Sequence, residues 1–213
     1  MNKINSNIII ICRTEYELDV KYLYYWNEEI IKVAKSRNLY IIDLKNDNFT
    51  KNKLEKLTDD KNPFLFIGNG HGTNWSFNGH NNERVIEACK NDIILKNKIV
   101  YLLACDTANI LAESALKKGC SCFIGYSGKY IFIREEPTPN NVLEDTFAQA
   151  FMEISNQIPL TIINGGTPED AWRNFQKKCE EWIEWWSKTL NPVAPQIISA
   201  LLKDSKRLRL FRI

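Results

Sequence analysis

Apolar positions along the chain fall into two alternating patterns. Short continuous runs rich in β-branched residues occupy 7–12 (NIIIIC), 40–44 (YIIDL), 64–68 (FLFIG), 99–104 (IVYLLA) and 122–125 (CFIG). Runs of this kind suit strands covered on both faces. Between the first two, Val20, Leu23, Tyr24, Ile30, Ile31 and Ala34 recur at helical spacing until Arg37-Asn38 ends the pattern. Thr14 followed by Glu17 reads as a capping box that opens this helix. A short helix capped by Thr50 is expected over 50–57, another near 83–89, and another over 108–118 that ends at Gly119. The later part of the chain is helical in pattern over 141–154 and 167–190, with Thr167-Pro168 placing a cap and a proline at the correct end. A last helix follows Pro195. Residues 130–133 (YIFI) read as a short extra strand or a loop anchor, and the basic, alternating tail 208–213 as an edge strand.

Strands alternating with helices predict a mainly parallel sheet with helices on both faces, a three-layer α/β/α sandwich. The 213 residues are enough for one sizeable core, and a single domain over 1–213 is expected. Apolar residues make up 44% and charged residues 25%, ordinary values for a globular chain. A formal charge of +2 gives no reason to expect direct nucleic-acid binding. No apolar stretch is long enough to cross a bilayer, so no membrane is expected. The start, MNKINSNIIIIC, lacks the pattern of a secretory signal. Six scattered cysteines suit a reduced, cytoplasmic setting rather than a disulfide framework. Cys120-Ser-Cys122 has no matching pair of metal ligands elsewhere, so neither a metal nor a cofactor is expected.

The chain holds two histidines, and one of them sits in GNGHG directly after the third strand run. The fourth run ends in LLACDTA, which places Cys105 34 residues after His71. That gap accommodates one crossover between neighbouring parallel strands, which would bring imidazole and thiol to one sheet rim, where ligands of such sheets bind. A free thiol is mostly protonated at neutral pH, and a neighbouring imidazole can take its proton and later give it to a leaving amine. Glycines beside His71 let backbone approach a substrate closely. The Gly72 and Cys105 amides can then face a developing oxyanion. Each residue has a plainer reading: His71 as a locally bonded turn histidine, Cys105 as a buried strand-end thiol. His80 reads as structural.

At this point the sequence resembles a known group. GNGHG (68–72) and LLACDTA (102–108) are similar to the His-Gly and Ala-Cys signature of the caspase-like, clan CD cysteine peptidases, in particular their CHAT-domain and gingipain-like branches. The segments 79–88, 96–108, 109–119 and 122–128 support this, so the resemblance covers residues 64–128. It implies the caspase-like fold and peptide-bond hydrolysis through an acyl-enzyme. It also implies His71 as general base or acid, Cys105 as nucleophile and the Gly72 amide as oxyanion donor. A protein or peptide substrate follows, together with a regulatory protein partner and a role in bacterial regulation or defence. Caspases proper have Gln before Ala-Cys and a gap of about fifty residues between His and Cys. Here Asp106 follows the cysteine, and aspartate specificity is not carried over. Asp106 itself either orients substrate or caps the next helix. Glu135 and Glu136, beside Pro137 and Pro139, belong to a segment placed to lie over the cleft. Glu136 is a candidate to receive a basic side chain, as acidic groups do in relatives that cut after Arg or Lys.

Two other classes stay open. One is a non-catalytic caspase-like scaffold or protein-binding module. The other is a flavodoxin-like phosphate or nucleotide binder, although GNGHG lacks the Lys-Ser/Thr of a P-loop.

Overall fold

Parallel strands with intervening helices organise the computed structural model, which describes residues 7–136, 138 and 140–213. In chain order it begins with β1 (Ile8–Arg13), α1 (Leu18–Ser36), β2 (Tyr40–Lys45), α2 (Lys51–Lys61) and β3 (Leu65–Asn69). Three short strands follow, β4 (His71–Gly72), β5 (Ser76–Asn78) and β6 (Arg84–Glu87), and then β7 (Ile99–Leu103). The remainder is α3 (Ile110–Lys117), β8 (Cys122–Tyr126), α4 (Thr146–Ile163), α5 (Pro168–Ser187), α6 (Ala194–Arg207) and β9 (Leu208–Arg212).

The central sheet has the order β2-β1-β3-β7-β8-β9. Its first five strands are parallel, with Phe66 opposite both Ile10 and Val100, and β9 is antiparallel at the edge. The continuous apolar runs divide between two faces because successive strand side chains point opposite ways. Ile9, Ile11, Leu65, Ile67 and Tyr101 join α1, α4, α5 and α6 in one core layer. Ile10, Cys12, Phe66, Val100 and Leu102 meet α2, α3 and the small strands in the other. This is the mixed α/β architecture with a mainly parallel sheet that the pattern predicts.

Several local expectations are corrected. The expected helix near 83–89 is replaced by β6, which pairs antiparallel with β5 through Ile86 opposite Phe77. Val85 and Ile86 are both fully buried, and Cys89 turns the chain at φ +64, which together preclude a helix there. α1 starts at Leu18 behind an extended Glu17 that makes no side-chain cap. The Thr14–Glu17 capping box does not form because both side chains bond to distant histidines. α4 begins at Thr146, where the buried Asp145 carboxylate accepts the N–H groups of Phe147 (3.0 Å) and Ala148 (2.9 Å). A single 3-10 turn, Val142–Glu144, precedes it where helix was expected from residue 141. Residues 130–133 form no strand and anchor a loop. α5 begins with Thr167 as cap and Pro168 in the first turn, as the sequence indicates, and Asp170 completes a capping box that the sequence reading did not name.

Candidate active site

β3 and β7 are neighbours in the sheet and run parallel, with Asn69 opposite Leu103. Both chains therefore leave the sheet at the same edge. After β3, Gly70 steps into β4, whose His71 and Gly72 pair antiparallel with Asn78 and Phe77 of β5. The glycine-rich turn is thus the start of a small three-stranded sheet. A Cβ at Gly70 would lie 2.4 Å from the Asn78 carbonyl oxygen, so the backbones approach too closely there for any side chain.

His71 and Cys105 line one cleft of about 90 Å³, bounded by Asp19 of α1 and by Tyr130 and Phe132. Gly72 packs directly on the cysteine turn: a Cβ on it would sit 2.3 Å from the Cys105 carbonyl oxygen and 2.6 Å from Thr107 Cγ2. The backbone of the histidine strand and the backbone of the cysteine turn are therefore in contact.

The His71 ring is half exposed and its Nε2 pairs with the Glu17 carboxylate. The Tyr16 ring packs edge-on against it, centroids 6.3 Å apart. Burial pushes the Cys105 thiol above its usual pKa range. A backbone hydrogen bond from Tyr130 works the other way, Asp106 and Asp204 add to the rise, and Lys129 opposes it. The raised value favours the protonated thiol at neutral pH, so ionising it requires a base.

The remaining sequence candidates occupy other places. His80 bonds Thr14 Oγ1 through Nδ1 (2.7 Å) and faces Asp47 through Nε2 (3.2 Å), a structural role as expected. Asp106 turns the chain at φ +60 and donates its N–H to the Gly128 carbonyl (3.1 Å). It does not cap α3, whose N-terminal flanking residue is Asn109, and it is absent from the residues lining the cleft. Glu135 accepts hydrogen bonds from the Thr146 N–H (3.0 Å) and hydroxyl (2.6 Å), which fixes it at the start of α4. Glu136 is exposed and accepts from Arg134 Nε at 3.3 Å, while Arg134 Nη1 bridges to Asp19 at 2.6 Å. Glu136 is thus connected to the cleft through Arg134 and Asp19. Pro137 and Pro139 lie outside the described residues. Among the described residues no group of three or more His, Cys, Asp or Glu is placed to hold a metal ion, and no helix is long and apolar enough to cross a membrane.

Sequence reasoning missed Asp19, Tyr130 and Phe132 as cleft residues and Glu17 as the partner of His71. Glu17 lies 54 positions from His71, and its local signal resembles a helix cap. Nothing in the sequence couples the two.

No family model matches the chain, and no curated protein matches its sequence. Solved structures do match in fold. The complex of the pro- and mature domains of RgpB from Porphyromonas gingivalis aligns with a TM-score of 0.61 at 10% identity, over 97% of this chain and 47% of that one. The Arg-specific cysteine proteinase gingipain R (RgpB) aligns with a TM-score of 0.61 at 11% identity, over 97% of this chain and 46% of that one. The chain spans about half the length of these neighbours. At such identities the likeness shows the fold alone, an α/β sandwich with a mainly parallel sheet shared with these gingipain structures.

Proposed function

We propose that the protein is a cysteine endopeptidase that uses His71 and Cys105 and passes through an acyl-enzyme. The observation that carries this reading is the shared cleft, where imidazole and thiol enter from adjoining parallel strands and the Gly72 backbone touches the cysteine turn. In the reaction, His71 takes the Cys105 proton as sulfur bonds to the substrate carbonyl carbon. The oxyanion that forms is held by the Gly72 amide, a contribution of about 3–4 kcal/mol for a well-placed donor. His71 then protonates the leaving amine as the C–N bond breaks, and water attacks the thioester to release the acid and restore the thiol. Glu17 orients the imidazole through Nε2 and places a carboxylate counter-charge beside it.

Asp19 and Glu136 give the rim an acidic character now occupied by Arg134. A substrate with a basic side chain before the scissile bond would exchange for that guanidinium. Control by a protein partner is part of the reading, since one fold neighbour is a complex of pro- and mature domains. A role in bacterial regulation or defence rests on the sequence resemblance, and a cytoplasmic setting on the six scattered cysteines.

A non-catalytic protein-binding module is the second reading, and the raised Cys105 thiol favours it. Cys105→Ala separates the two. Loss of cleavage of a partner-supplied protein substrate, with an unchanged circular dichroism spectrum, supports the peptidase; equal turnover by the variant rejects it.

A further inference from the structure

We infer that Asp204 is a positioning residue for Cys105: from α6, it fixes the segment that lies against the thiol and so sets the reactivity of that thiol. Asp204 is 3% exposed, and α6 contributes no side chain to the cleft. Its carboxylate accepts the Ile131 N–H with both oxygens, at 3.1 and 3.4 Å. The preceding residue, Tyr130, gives its backbone hydrogen bond to Cys105 and places its ring in the cleft wall. The same last turn of α6 holds the neighbouring residues. Arg207 Nη1 donates to the Lys129 carbonyl (2.6 Å), and the Arg207 carbonyl accepts the Ser127 N–H (2.9 Å) and hydroxyl (3.1 Å). Gly128 between them accepts the Asp106 N–H, which ties the clamp to the cysteine turn itself. A helix remote from the cleft thereby holds the loop that carries its wall.

The buried carboxyl also acts through charge. Burial pushes Asp204 up to about 8, opposed by the Ile131 N–H and by Arg207. The titratable groups that face it are Cys105, Tyr101 of β7, Tyr126 of β8, Tyr130 and Cys179 of α5, and its negative form disfavours ionisation of each. At neutral pH the carboxyl is mostly uncharged and anchors Ile131 without penalising the thiolate. Above that range it ionises and opposes the thiolate.

The test uses the full chain with iodoacetamide as probe, following alkylation of Cys105 by peptide mass spectrometry from pH 6.5 to 9.5, with exposed Cys89 as internal reference. Asp204→Asn keeps an acceptor for Ile131 and removes the charge, so its Cys105 profile shifts to lower pH and alkylation at pH 8 rises about threefold. Asp204→Ala removes the acceptor as well, and its profile lies at higher pH than that of Asp204→Asn. A profile for Asp204→Asn superimposable on the wild type overturns the inference, and so does an alanine variant identical to the asparagine one. Should the alanine variant not fold, the wild type and Asp204→Asn decide alone. The inference extends the reading of the Cys105 cleft, yet alkylation needs no peptide cleavage, so failure of the peptidase proposal leaves this result interpretable.

Discussion

Gly72 illustrates how a single missing side chain positions the site. Its backbone reaches the Cys105 carbonyl because no Cβ intervenes, and that carbonyl is main chain that cannot rotate away. Gly72→Ala is therefore expected to cost about 1–3 kcal/mol of stability through overpacking and to change Cys105 alkylation as well. Chemical denaturation and the alkylation assay measure the two effects separately. Glu17 acts at the same scale through charge. Glu17→Gln leaves the ring a hydrogen-bond partner but no counter-charge, so cleavage is expected to fall about tenfold or more while folding is preserved. Unaltered turnover would remove Glu17 from the mechanism. Glu136→Lys places a cation beside Arg134 and is expected to weaken cleavage of Arg and Lys substrates through KM. Neutral-substrate kinetics provide the control.

At the level of elements, helix starts connect the helical layer to the loop over the cleft. Asp145 is fully buried, caps α4 through two N–H groups, and accepts the Tyr22 hydroxyl of α1 at 2.5 Å and the Glu135 N–H at 3.0 Å. One carboxylate thus joins α1, α4 and the segment leading from the cleft wall. Replacing it with alanine strands several buried donors, so Asp145→Ala should lose about 2–4 kcal/mol, more than an ordinary cap. Equilibrium urea unfolding checks this, and a loss below that of a simple surface cap would show that the three elements are not coupled here. Arg13, 1% exposed, performs a similar task at the end of β1, binding Asp43 at 2.9 and 2.7 Å and the Tyr24 carbonyl at 3.0 Å.

For the molecule as a whole, the buried Asp204 makes stability depend on pH. An unfolded aspartate titrates near 3.9, whereas the folded carboxyl is pushed up to about 8. Between these values the folded chain holds a proton that the unfolded chain has released, so this group's contribution to stability falls as pH rises through the window and levels off above it. The difference in thermal midpoint between wild type and Asp204→Asn should decline steadily from pH 5 to 8. A pH-independent difference would contradict a raised folded-state pKa.

The repeated apolar runs determined the parallel sheet, since residues buried on both faces have to be apolar at every position, and the periodic stretches determined the helices. Gly70, His71, Gly72 and Cys105 were legible as a candidate site because both segments end strands that a single crossover can join. The sequence did not determine which side chains complete the cleft. Glu17 looked like a cap and residues 83–89 like a helix because local spacing describes neighbours along the chain, whereas their partners come from elsewhere in it. Asp204 is the extreme case: an ordinary-looking aspartate on a terminal helix acquires its environment only when α6 packs under the loop beside Cys105. Chain patterning selects the layers because burial is a local requirement; contacts across the layers select the site's charges because distance in space, and not separation in sequence, sets an electrostatic interaction.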